Sequence, residues 1–88
     1  MAYRLELTGA AERDMLALPR KMRQRVDAKI LALADQPRPD GVVKLKGTKG
    51  DLWRIRVGVF RVLYGVDDAS KIIEIARVLD RKEAYRSL

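Results

Sequence analysis

The chain contains neither cysteine nor histidine. Without cysteine there is no disulfide framework, no thiolate nucleophile and no zinc finger, and nothing argues for an oxidising compartment. Without histidine, the usual acid/base pair of metal-free ribonucleases and the commonest neutral metal ligand are missing. Proton transfer and charge stabilisation must then fall to Arg, Lys, Tyr, Asp or Glu. No stretch approaches the roughly 18 apolar residues of a membrane span, and Met1 to Leu7 lacks a signal peptide's apolar run, so the expectation is a cytoplasmic protein. Repeats, low-complexity segments and interdomain linkers are also missing, and 88 residues suffice for one modest core, so a single domain over residues 1–88 is expected.

What the chain has in excess is positive charge. Lysine and arginine number 19 against 12 aspartates and glutamates, a formal +7, with an isoelectric point near 10.1. That balance favours a polyanion such as nucleic acid, and would equally suit an acidic protein. The excess is local. From Arg38 to Arg61 there are seven cations, Arg38, Lys44, Lys46, Lys49, Arg54, Arg56 and Arg61, against only Asp40 and Asp51. One-sided concentration of this kind suits a phosphate backbone better than a general solubility surface.

Residue periodicity sets the expected architecture. Tyr3, Leu5 and Leu7 alternate with Arg4 and Glu6 as in a half-buried strand. Thr8 caps a helix carrying Ala11, Met15 and Leu18, and Pro19 interrupts where a second helix starts. Along Arg20 to Asp35, Met22, Val26, Ile30, Leu33 and Ala34 form an apolar stripe, with Lys21, Arg23, Arg25 and Lys29 mostly off it. Gln36 to Gly41 is a proline- and glycine-bearing turn, and Val42 to Gly50 a lysine-rich loop with some extended character. Leu52 to Val57 and Phe60 to Val66 alternate around Gly58 and Val59, the signature of a type II′ hairpin. A β-branched strand over Ile72 to Leu79 and a charged tail follow. The sum is an α+β domain: an N-terminal strand, a two-helix hairpin, then a three-stranded antiparallel meander, with helices packed on one face of the sheet and the other face open.

Closing the hairpin at Gly58 and Val59 predicts its register. Val57 faces Phe60, Arg56 faces Arg61, Ile55 faces Val62, Arg54 faces Leu63 and Trp53 faces Tyr64. Trp53, Ile55, Val57, Phe60, Val62 and Tyr64 then form the surface for the helices, and Arg54, Arg56 and Arg61 emerge together on the opposite side. Like charges opposed across strands destabilise by roughly 0.2–1 kcal/mol, and an anion would relieve the repulsion. Arginines also keep an open sheet soluble, the bland explanation for any one of them.

Metal chemistry is not expected. Asp67 and Asp68 read as solvated acids of a hairpin turn. Pro39-Asp40 with the distant Asp80-Arg81-Lys82 superficially matches the metal-dependent nuclease pattern PD…(D/E)xK, but Asp40 lies in a proline turn and the whole meander separates it from Asp80. Neither a metal nor a cofactor is assigned.

At Lys44-Leu45-Lys46-Gly47, Leu52-Trp53-Arg54-Ile55-Arg56-Val57-Gly58, Phe60-Arg61-Val62-Leu63-Tyr64 and Arg81-Lys82-Glu83-Ala84-Tyr85, the chain resembles the RelE/ParE toxin superfamily. The likeness runs nearly end to end and extends to the Leu18-Pro19 helical hairpin and the Gln36-Pro37-Arg38-Pro39 turn. It favours the RelE side, an mRNA interferase of a type II toxin–antitoxin system. Such a resemblance implies a RelE-like fold and a ribosome-dependent, metal-independent endoribonuclease that inhibits translation. It also implies restraint by an acidic, RelB-like antitoxin, through which the complex contacts operator DNA. In such proteins the ribose 2′-hydroxyl attacks the adjacent phosphate, leaving a 2′,3′-cyclic phosphate and a 5′-hydroxyl, and guanidinium groups stabilise the charge that builds up.

By position, the family's functional residues match Arg54, Arg56, Arg61, Arg81 and Tyr85, with Lys44, Lys46 and Lys49 as RNA-binding candidates. Arg61 is expected to bind phosphate and Arg81 to stabilise charge near the leaving oxygen. Tyr85 would stack on a base or use its hydroxyl, or else simply pack the tail. Relatives carry lysine at the positions of Arg54 and Arg56, and often histidine at that of Asp80. Arginine does not give up its proton, so the base is Lys46 or Tyr85, or the ribosome supplies the rate through orientation. Two alternatives share the fold: a ParE-like toxin that poisons DNA gyrase without using these arginines for chemistry, and an inert member that only binds its antitoxin.

Overall fold

A computed structural model describes residues 2–45 and 52–81 of the chain. The elements in order are β1 (Arg4–Leu7), α1 (Gly9–Leu16), α2 (Arg20–Leu33), β2 (Val43–Leu45), β3 (Leu52–Val57), β4 (Phe60–Asp67) and β5 (Ile72–Asp80). The five strands form one sheet in the order β1-β5-β4-β3-β2. β2 to β5 are antiparallel neighbours, and β1 runs parallel to β5, with Leu5 opposite Ile73 and Leu7 opposite Ile75. The meander therefore has four strands and not three. Val43–Leu45 takes up the free edge of β3 because a strand edge left unpaired exposes its amide and carbonyl groups. Among the described residues no helix is long and apolar enough to cross a membrane.

Local chemistry accounts for the helical layer. Thr8 accepts the Ala11 amide at 3.1 Å and donates its hydroxyl to the Ala76 carbonyl at 2.7 Å, so one side chain both starts α1 and ties it to β5. At the other end, Arg23 donates to the carbonyls of Met15, Leu16 and Leu18 at 3.0 to 3.1 Å. The carbonyls of Met15 and Leu16 belong to the last turn of α1, where no further helical amide follows to bond them. Arg23 thus welds the hairpin together instead of joining the basic surface. The core lies between helices and sheet and contains Ala11, Met15, Leu18, Val26, Ile30, Leu33, Ile55, Val57, Val62, Tyr64, Ile73, Ile75 and Val78. Full burial of each such Val, Leu or Ile contributes about 1.5–3 kcal/mol.

β5 changes phase midway. The register against β4 shifts between Leu63 and Tyr64, which pair with Arg77 and Ile75, leaving Ala76 as the extra residue. Strict alternation after Ile73 and Ile75 would aim Arg77 at the core. The bulge aims Val78 there and releases Arg77 to the other side.

Arg77 then reaches Asp14 on α1, its Nε and Nη2 donating at 2.8 and 3.1 Å, while the Val78 amide donates to the same carboxylate at 2.9 Å. Burial opposes ionisation of Asp14, but the hydrogen bonds from Arg77 and Val78 and the charges of Arg77 and Arg13 outweigh it and hold its pKa below the ordinary 3.8. A lowered carboxylate pKa contributes stability that is complete above the unfolded value and lost as pH falls through the folded one. Asp14→Ala is expected to cost about 1–3 kcal/mol at neutral pH by stranding the Val78 amide and the guanidinium. The gap from the parent protein should narrow once the solution is acidified below pH ~4. Urea midpoints of both proteins at neutral and acid pH check this.

At the end of the sheet away from Gly58, Asp68 receives a two-pronged contact from Arg38 at 2.8 and 3.3 Å and the Tyr3 hydroxyl at 2.6 Å. The Arg38 and Tyr3 hydrogen bonds hold its pKa down at about 2. Arg38 also lies 5.2 Å from the centre of the Trp53 ring. The buried Tyr64 hydroxyl donates to the Pro37 carbonyl at 2.7 Å, and burial pushes its pKa up to about 12 against the nearby Arg38 charge. Asp68 is therefore a structural partner of the proline turn, and Arg38, counted by sequence among the local cations, is neutralised by it.

Candidate functional site

The hairpin pairs as the alternation requires: Val57 with Phe60, Arg56 with Arg61, Ile55 with Val62, Arg54 with Leu63 and Trp53 with Tyr64. Gly58 has φ +60° while Val59 keeps a negative φ, the pattern of a type II′ turn. Because partners across strands share a face, Arg56 and Arg61 emerge side by side, with Arg54 two residues along on the same side. Arg54 and Arg61 are half-buried and Arg56 is exposed. Their recorded hydrogen bonds go to backbone: Arg56 Nε donates to the Gly58 carbonyl and Arg61 Nη1 to the Phe60 carbonyl, each at 3.2 Å. None of the three forms an ion pair with a carboxylate among the described residues.

This face is less open than the composition suggests. Leu63, the partner of Arg54, and Leu79, the partner of Arg61, are only 6% and 2% exposed and cluster with Leu45 and Ala76. The expectation of a fully open second face is corrected here. The arginines stand beside an apolar floor, and charges next to apolar surface are less screened than in water. A fourth arginine of the meander, Arg77, lies across Leu63 from Arg54 and is engaged by Asp14. Sequence periodicity alone did not reveal the floor, because it depends on the Ala76 bulge placing Leu79 opposite Arg61.

Other candidates fall in different places. Lys44 pairs with Trp53, and its ammonium lies 5.8 Å from the centre of that indole. It therefore shares the face of Trp53 and not that of the arginines. Arg81 is exposed and directly follows β5, whose last residue, Asp80, pairs with Phe60, so it lies at the Gly58 end of the sheet. Lys46, Lys49 and Tyr85 lie outside the described residues. Among the described residues no group of three acidic side chains could hold a metal ion. A groove of ≈ 300 Å³ between the α1–α2 turn and β5 is lined by Asp14, Leu18, Pro19, Phe60, Arg77 and Asp80. Its two carboxylates set it apart from the arginine face as a place for phosphate.

The chain is similar to known toxins in sequence and in fold. The profile of the ParE toxin of the parDE type II toxin-antitoxin system matches residues 5–85. The RelE1 protein of Methanocaldococcus jannaschii is 29% identical over 89 residues, 99% of each chain. Among solved structures, the archaeal RelE–RelB complex of Pyrococcus horikoshii contains a chain 32% identical, with TM-score 0.81, covering 92% of this chain and 97% of that one. The RelBE2 toxin–antitoxin complex of Mycobacterium tuberculosis matches at 27% identity and TM-score 0.81, covering 92% and 100%.

Proposed function

Because this chain belongs to the RelE/ParE family of toxins of type II toxin–antitoxin systems, we propose that it cleaves messenger RNA on the ribosome and is restrained by a RelB-like antitoxin. The observation that carries this reading is the cross-strand pair Arg56 and Arg61 beside Arg54, without a carboxylate partner among the described residues. Three guanidinium groups on one rigid hairpin repel one another until an anion arrives. A phosphodiester gaining charge during displacement is the anion that gains most from them.

In the proposed reaction the ribose 2′-hydroxyl gives up its proton as its oxygen attacks the adjacent phosphorus. The bond to the 5′-oxygen of the next nucleotide breaks, a cyclic phosphate remains, and the leaving oxygen takes up a proton. Arg61 and Arg56 hold the non-bridging oxygens, Arg54 orients the backbone, and Arg81 faces the leaving oxygen. Lys46 or Tyr85 handles the proton, and the ribosome fixes the in-line geometry. Supported by RelE proteins solved with RelB, the antitoxin is read as an acidic partner complementary to the basic surface. Primer-extension mapping on translating ribosomes should show new ends within the occupied codon. Intact ribosome-bound message in the presence of a growth-arresting protein would contradict the proposal.

The match to the ParE profile favours one other reading, a toxin that traps DNA gyrase. It predicts DNA breaks and an SOS response on expression, unaffected by Arg54→Ala or Arg56→Ala.

A further inference from the structure

Arg54, Arg56 and Arg61 stand on the sheet's outer face, yet one more guanidinium reaches the same turn from the helical side. Arg25, exposed on α2, places Nη1 and Nη2 at 3.6 and 3.7 Å from the point a Cβ on Gly58 would occupy. Across the turn, Arg56 donates to the carbonyl of that same glycine at 3.2 Å. The positive φ of the turn calls for glycine here, and the Arg25 guanidinium lies in van der Waals reach of the same position. Neither guanidinium has an ion-pair partner among the described residues.

Arg25 is also the centre of a ladder. Lys21, Arg25 and Lys29 follow one another at four-residue spacing, all exposed and none paired with a carboxylate among the described residues. Neighbouring like charges at that spacing work against the helix, so the arrangement is poor for stability alone. Successive rungs are about 6 Å apart along the axis, a regular repeat that suits the evenly spaced charges of a phosphodiester chain better than a peptide's irregular carboxylates.

We propose that Arg25 and Arg56 form a second phosphate subsite astride the Gly58 turn, and that Lys21 and Lys29 continue it along α2. An RNA backbone leaving the arginine face crosses the sheet's rim there and runs over the helix. The inference rests on the RNA-cleaving reading and adds to it a path for the flanking strand. That strand is either more of the message or ribosomal RNA, with the same chemistry at the subsite.

Binding is measured by fluorescence anisotropy with a short labelled RNA made uncleavable by 2′-O-methylation, and by co-sedimentation with ribosomes. Arg25→Gln is expected to weaken binding severalfold at low salt and to reduce the slope of log affinity against log salt by about 0.7, one phosphate contact on a single strand. Arg25→Lys should restore most of the slope, and melting temperatures should stay level. Loss with free RNA identifies the message as occupant, and loss only with ribosomes identifies ribosomal RNA. If the parent protein cleaves message but Arg25→Gln binds both RNAs unchanged, the subsite is wrong while the nuclease stands. A variant that loses only affinity for a glutamate-rich peptide makes the ladder a protein-docking surface and overturns the inference. A parent protein that neither cleaves message nor binds either RNA removes both claims.

Discussion

Arg61→Ala is expected to slow cleavage of ribosome-bound message by about 10²–10³-fold, the usual loss when one fixed donor to a developing oxyanion is removed. Arg61 pairs directly with Arg56 and sits over Leu79, so no other described side chain takes its place in that row. The same substitution should leave the fold intact and raise stability slightly, because it ends a like-charge pair worth roughly 0.2–1 kcal/mol of repulsion. Activity and stability moving in opposite directions is the mark of a residue kept for function. Single-turnover cleavage and thermal melting of the same preparation test both halves. Cleavage unchanged by the substitution, or lost together with the fold, would remove Arg61 from the site.

Tyr64→Ala is expected to have the largest effect on folding, about 3–5 kcal/mol by analogy with other buried aromatic truncations. Tyr64 is fully buried in the middle of β4, packed in the core, and its hydroxyl is the anchor of the Pro37 carbonyl 27 residues away. A small domain with stability of about 5–15 kcal/mol can lose much of it in this single change. Tyr64→Phe keeps the ring and removes only the hydroxyl, so its cost should be about 1–3 kcal/mol, arising from the stranded carbonyl. Denaturant midpoints separate the two. Equal costs for both variants would mean that the hydrogen bond and not the ring carries the contribution.

The hairpin was legible because its turn residues fix its register. Glycine at the first turn position permits one pairing, and every side chain from Trp53 to Tyr64 then falls on a determined face. The helices were legible for a similar reason, since Thr8 and Pro19 punctuate two local periodicities. What the sequence concealed depends on contacts between distant segments. Lys44 shares a face with Trp53 only because β2 pairs with β3 in that register. Arg38 loses its place among the free cations through Asp68, 30 residues on. The apolar triplet Ile73, Ile75 and Val78 does carry the signal of the bulge, in the three-residue step that interrupts its two-residue period. Read as a uniform strand, that segment hides both Arg77's release to Asp14 and Leu79's position beneath the arginine face. Arg25 was hidden because the helix period marks it only as lying off the core stripe, while its approach to Gly58 is a tertiary fact.

The site's chemistry is tested most directly by a message carrying a single 2′-deoxynucleotide at the position of the cut in the ribosome's occupied codon. If Arg54, Arg56 and Arg61 cradle a phosphate attacked by its own ribose, the deoxy message stays whole while the all-ribose message yields a cyclic phosphate and a 5′-hydroxyl end. Equal cutting of the two messages would show that the attacking oxygen comes from elsewhere and would contradict the account.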